Sequence, residues 1–311
     1  MPAPALHFLL AGRVYEAWER TPVRAPFHPG PEARNAFLHG SIGPDMGYFP
    51  GGDSLLAELA HYARTGAFCR ALVDEARTDV ERAFAWGWVT HVLADVAIHP
   101  LVNEACGELL AGTRVPLWGD AVTEAHLRVE TGLDAAFHAR EPQLRRLRTL
   151  PAMDASAFGA MHRAYGRTFG AAPPMDWLLR SHRQVTRLLG PSAHVRGLAA
   201  WAVAEEGWLS GRLARAGFQG AALLSAPGSH ARGLLSPVRP AAWLMEEVDG
   251  IAAGFADWFD SHYVTDLRFL RDYCLDTGEP RDDDSPAAMQ AITALHARGI
   301  SASFTATRRA A

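Results

Sequence analysis

Lysine is absent from this chain: all 30 basic residues are arginine. That excludes Schiff-base chemistry and a phosphate-loop lysine, although the bias itself matches genomic base composition better than any function. Cysteine is scarce. Cys69, Cys106 and Cys274 are odd in number, far apart and outside any CxxC, which argues against a disulfide framework and for a reducing compartment. No apolar run reaches the roughly 18 residues that suggest a membrane span. The N-terminal stretch MPAPALHFLLAGRVYEAWER has no basic leader and is interrupted by His7 and Arg13, so it is expected to belong to the fold, with a cytoplasmic location as the default. Positive charge is not concentrated: the formal net charge is -4 and the one basic cluster is RRLR at 145–148, so no stable nucleic-acid complex is expected. Strand-like alternation is also scarce, and there is no repeat, low-complexity block or long linker. A chain of 311 residues with this pattern is expected to form a single all-α, multi-helix domain with a frayed tail at 301–311. Its oligomeric state is left open.

What is present is helical periodicity. Helices are expected at about 5–20, 54–63 and 66–77, with a Pro/Gly-rich loop from Thr21 to Asp53 between the first two. A central helix starts at Thr78, where Glu81 three residues on completes a capping box. It is expected to end near His99, because Pro100 disfavours α geometry at the residue before it. Asp120 is expected to cap a helix at 121–138. Further helical segments are expected near 155–168, 175–189, 194–216, 240–273 and 285–297.

The central helix poses a chemical problem. Its segment from Ala83 to Ile98, AFAWGWVTHVLADVAI, should be the driest in the protein, yet it carries His91 and Asp95. A buried carboxylate left unpaired costs several kcal/mol or more, of order at least 3. Residues four apart on a helix differ by about 40° in azimuth, so His91 and Asp95 share a face. His126 and Glu130 repeat that spacing downstream. Two helices that each offer imidazole and carboxylate can build a multinuclear metal centre, and these ligand types suit zinc. Taken singly, each residue has a plainer reading. A His-x-x-x-Asp pair is often a surface ion pair, which the apolar surroundings of His91 disfavour. His61 fits a core position, Asp45 a turn, and His126 with Glu130 the wet side of a helix. The joint occurrence carries the metal reading.

The series His7, GSIGPD ending at Asp45, His61, His91-x-x-x-Asp95-x-x-x-His99-Pro and His126-x-x-x-Glu130 resembles the zinc-dependent phospholipase C family, which is related to the fungal single-strand nucleases. The resemblance covers about residues 5–135. It implies an all-α fold with a zinc cluster at the bottom of a cleft, which the helical C-terminal half, 150–300, would complete. Carried over, Asp45, His61, His91 and Asp95 would hold one zinc, with Asp95 bridging to another. His99, His126 and Glu130 would hold the second, and His7 with Asp95 would contribute to a third. Two departures bear on the ligand set. Secreted members complete the third site with an N-terminal tryptophan that this chain lacks; loss of Met1 would leave Pro2 there. The spacing from Asp95 to His99 is also shorter than in secreted members and resembles that of bacterial intracellular relatives. Two or three zinc ions are expected.

The implied reaction is hydrolysis of a phosphate ester by metal-activated water, with Asp45 as general base and a small-molecule or lipid phosphate ester as substrate. Trp86, Trp88, Tyr48 and Phe49 fit either a cleft wall or the core, and for the tryptophans the core is favoured. No basic amphipathic membrane anchor is evident, and neither are the stacking platform and cationic groove of a nuclease. Two alternatives stand: an enzyme on the same zinc scaffold with non-hydrolytic or non-phosphate chemistry, and a non-catalytic protein in which zinc staples helices. His162, His182, His194, His230, His262 and His296 are expected to be ordinary surface or packing residues.

Overall fold

A helix that is apolar all round must be covered all round. In the computed structural model, which describes residues 4–144, 150–153, 158–203, 208–227 and 229–301, the helix containing Ala83–Ile98 is the central pillar. It spans Asp79–Ala111 and is numbered α5, after α1 (Pro4–Arg20), α2 (Pro31–Gly40), α3 (Ser54–Tyr62) and α4 (Thr65–Glu75). The predicted capping box is present: Thr78 Oγ accepts the Glu81 N–H at 3.1 Å and the Glu81 carboxylate reaches back to Thr78 N–H. Gly112, with φ of +69°, ends the helix.

The expected stop at His99-Pro100 does not occur. Pro100 lies inside α5, which runs eleven residues further, to Ala111. Proline removes only the bond to the Val96 carbonyl, and a loop from the C-terminal half closes over that turn. There His99 Nδ1 donates to Leu275 O at 2.6 Å and Asn103 Nδ2 donates to Asp276 O at 2.7 Å. Gly278 of the same loop packs so closely that a Cβ would crowd Val96 O and the Pro100 ring. Tertiary contact thus outweighs the local preference, and His99 keeps its helical register with Asp95.

The expected loop from Thr21 to Asp53 contains α2. Pro31 sits at the start of that helix, where its missing N–H is no loss. Ala33, Ala36, Phe37 and Gly40 form its buried face. Gly40 and Gly87 let α2 and α5 approach until their backbones touch; a methyl group on either would overlap a carbonyl oxygen, that of Phe84 or Phe37. A 3₁₀ turn at Pro44–Gly47 then presents Asp45.

After α5, Asp120 opens a 3₁₀ turn, Asp120–Val122, instead of capping α6 (Thr123–Arg140), whose start has no side-chain cap. There follow α7 (Gly159–Phe169), α8 (Met175–Val203), α9 (Trp208–Leu224), α10 (His230–Leu234), α11 (Ala242–Phe259) and α12 (Pro286–Arg298). The single helix α8 passes through Pro191 and joins segments expected to be separate. The segment expected at 240–273 stops being α-helical at Phe259, continuing as a π turn at Asp260–Val264 and a 3₁₀ turn at Leu267–Phe269. The two strands among the described residues, Ala171–Ala172 and Ile300–Ser301, pair antiparallel, so the fold is all-α. RRLR at 145–148 and the tail beyond Ser301 lie outside the described residues.

One hydrophobic cluster takes side chains from Ala5 to Leu295, and Trp86 and Trp88 are in it. No helix among the described residues is long and apolar enough to cross a membrane. The α2–α5 contact gives a direct test. Gly87→Ala should destabilise the protein by about 1–3 kcal/mol through overpacking, measured as a lowered denaturant midpoint. A change within error would refute the backbone contact.

Candidate metal centre

Four helices and one turn deliver the eight side chains singled out by the sequence to one place. Three groups of them have ligand atoms mutually within 4.8 Å: His7, His91 and Asp95; Asp45, His61 and His91; and His99, His126 and Glu130. Asp95 stands at the junction. Its Oδ2 lies 3.1 Å from His91 Nε2 and 3.8 Å from His61 Nε2, while its Oδ1 lies 3.3 Å from His7 Nε2 and 3.5 Å from His99 Nε2. Asp45 Oδ1 is 3.2 Å from His61 Nε2, and Glu130 Oε1 is 3.1 Å from His99 Nε2 and 3.2 Å from His126 Nε2.

Three of the imidazoles present their Nε2 atoms because Nδ1 is occupied elsewhere. His61 Nδ1 donates to Ala57 O at 2.8 Å, His91 Nδ1 to Ser41 O at 2.9 Å, and His99 Nδ1 to Leu275 O. Tethering one ring nitrogen to a carbonyl leaves the other with its lone pair free for a cation. The buried atoms agree: both Asp45 carboxylate oxygens, Asp95 Oδ2 and His91 Nε2 have no hydrogen-bond partner among the described residues. Buried acceptors are rarely left so. A donor set of imidazoles and carboxylates without thiolate fits zinc.

Protons show the same polarity. Burial pushes His91 down, but the Asp95 and Asp45 carboxylates outweigh it and raise it to about 9. His99 is likewise raised well above the usual histidine value, against its burial, by Asp95 and Glu130. Burial favours the neutral acid at Asp95 and Glu130, yet the facing imidazoles hold both well below the ordinary carboxylate range. His7 alone goes the other way, lowered to about 4 by burial and by His91. A cation in this cluster does what the imidazolium protons do without it, so acid and metal compete for the same atoms.

A family model described as zinc dependent phospholipase C matches residues 6–183, more than half of the chain. The chain belongs to the zinc-dependent phospholipase C family. No curated protein and no solved structure matches it.

The candidate metal centre of this zinc-dependent phospholipase C family member opens into a cleft of about 450 Å³ whose lining includes Asp45, His61, His99, His126 and Glu130. Tyr48 and Trp118 line it too, whereas Phe49 is buried in the core. Beyond the matched residues, the C-terminal part contributes Asp276, Ala287 and Gln290. Asp276 accepts from the Tyr62 hydroxyl at 2.7 Å. Its neighbour Leu275 spans two metal groups, donating its N–H to His61 O at 3.1 Å while accepting from His99. Sequence reasoning missed this loop, because a backbone carbonyl carries no side-chain signature. It also missed Asp134, although His126, Glu130 and Asp134 continue one four-residue spacing.

His162, His182, His194, His262 and His296 do not line the cleft. His162 binds Pro173 O at 3.0 Å; His194, His262 and His296 are exposed. The His230 side chain lies outside the description. His182 is buried against His39, ring centroids 4.7 Å apart, and accepts the Met153 N–H; His39 Nε2 donates to Pro151 O. Burial lowers His39 to about 4 and, with His39 adding to it, His182 to about 3.

Two predictions follow from these environments. Asp95→Ala should lose bound zinc and, since metal binding is coupled to folding, lower thermal stability; unchanged metal content by elemental analysis would overturn the assignment. At the second pair, the unfolded chain takes up protons below pH 6.5 that the folded protein refuses. Stability should therefore fall as pH drops from about 6.5 toward 4, by on the order of 3 kcal/mol for His39 alone. In chelator-treated protein, replacing both histidines with glutamine should flatten that limb of the denaturation midpoint against pH; an unaltered slope would count against it.

Proposed function

We propose that the protein hydrolyses phosphate esters, with Asp45, His61, His91 and Asp95 holding one zinc, His99, His126 and Glu130 a second, and His7 with Asp95 contributing to a third. The observation that carries the reading is the Asp95 carboxylate, 2% exposed and faced by four imidazoles, of which His61 and His99 also line an open cleft. Bound zinc supplies Lewis acidity toward water and toward phosphoryl oxygens.

The chain's own residues supply the rest. Asp45 is fully buried at the cleft floor and its Oδ2 has no partner among the described residues, so that oxygen is the acceptor for the proton of attacking water. Tyr48, Tyr62 and Trp118 present aromatic surface to the substrate's organic part. The cleft also contains Glu58, Asp120 and Asp276, and among the described residues no arginine lines it. Such a lining repels a polyanion, which supports a small-molecule or lipid phosphate ester over nucleic acid. Three buried, unpaired cysteines support a reducing compartment.

Asp45→Asn tests the proton acceptor. The variant should retain its helical circular dichroism and most of its zinc, while turnover of a phosphodiester such as bis(p-nitrophenyl) phosphate falls by about 10²-fold or more. A zinc-loaded parent that cleaves no phosphodiester or phosphomonoester in a broad panel would overturn the phosphoesterase reading.

A further inference from the structure

We infer that Asp134 is a positioning residue for His7: by holding the first turn of α1, it sets where that imidazole stands against Asp95. The inference rests on the reading of His7 as a zinc ligand. It begins from a difference among the imidazoles. His61, His91 and His99 are each oriented by a bond from Nδ1 to a backbone carbonyl. His7 has no such tether; it is only 8% exposed, and its Nδ1 has no hydrogen-bond partner among the described residues. Two things place it. Its ring stacks on His91 with centroids 4.0 Å apart, and the helix that carries it begins only one turn earlier.

The start of that helix is held from outside. The first N–H groups of a helix have no intrahelical acceptor. Those of Ala5 and Leu6 are both accepted by Asp134, at 3.2 Å to Oδ2 and 3.0 Å to Oδ1. Asp134 is 1% exposed and lies one turn beyond Glu130 on α6. The helix that brings Glu130 to one metal group therefore also determines where α1 begins. A cavity of about 20 Å³ lies between them, walled by Leu6, His7, Asp95, His99, Glu130 and Leu133. Leu6 and Leu133 adjoin the two ends of the cap. Its carboxylate charge also matches the positive end of the α1 dipole. Loss of the cap loosens the first turn of α1, and with it the 3.3 Å separation of His7 Nε2 from Asp95 Oδ1, which the ring itself backs only through its stacking on His91.

A cap that served stability alone would leave the metal content unchanged. The test is zinc per chain and zinc affinity for the full-length protein, measured by equilibrium dialysis with elemental analysis, in the parent, His7→Ala, Asp134→Ala, Asp134→Asn and the His7→Ala/Asp134→Ala double variant. The parent should hold one zinc more than His7→Ala. Asp134→Ala should lose that same zinc or bind it about 10–100-fold more weakly, and the double variant should be no worse than His7→Ala. Asp134→Asn keeps one acceptor oxygen and should fall between, which carries the test if the alanine variant does not fold. Asp134 variants that keep the parent's zinc count and affinity, or that lose every zinc equally, would overturn the proposal. A parent no richer in zinc than His7→Ala would instead overturn the reading of His7 as a ligand, a result distinct from unchanged Asp134 variants.

Discussion

The structure depends on how one buried negative charge is neutralised. Asp95 sits on the most enclosed helix of the fold, where an uncompensated carboxylate would cost more than most single interactions return. Its two oxygens divide the surroundings between them: Oδ2 toward His91 and His61, Oδ1 toward His7 and His99. Those histidines come from α1, α3 and α5 itself, so satisfying the one charge fixes how three helices meet. The close passage of α2 over Gly87 of α5 and the Pro44–Gly47 turn after it then bring Asp45 to the same point. In this chain, fold and candidate metal centre are thus one packing problem.

Around that charge lies a layer of backbone acceptors. Ala57 O, Ser41 O and Leu275 O orient three of the imidazoles, and they come from three separate parts of the chain. The Leu275–Gly278 loop has the widest reach: it covers the turn where Pro100 removes a helical hydrogen bond, orients His99 and ties back to His61. Residues well outside the matched segment of 6–183 therefore help complete the centre. His7, more buried than His126 and likewise without such a tether, is held through its helix and by stacking on His91.

Much of the candidate site was legible because it obeys local geometry. Four-residue spacing on a helix places side chains on one face wherever the helix packs, so His91 with Asp95 and His126 with Glu130 could be paired from sequence. The ends of elements were harder. Pro100 was a sound local stop signal, overridden by a loop some 175 residues away that packs on the exposed turn. The helix from Pro31 to Gly40 was hidden by proline and glycine that read as loop, although one marks its start and the other its contact with α5. Asp120 had the chemistry of a cap but lies two residues too early to serve α6, whose cap position is Val122.

The sequence by itself determined that this chain is helical, that a carboxylate lies in its driest helix with His91 on the same face, and that His126 and Glu130 repeat that spacing downstream. These follow from periodicity and from the cost of burying charge, which are set within one or two turns. Only the tertiary structure decided which ligands share a group, that Asp95 faces all three helices, and that Leu275 and Asp134 hold the centre from afar. Those facts rest on backbone hydrogen bonds and close contacts between distant segments, and they exist only once the chain is packed.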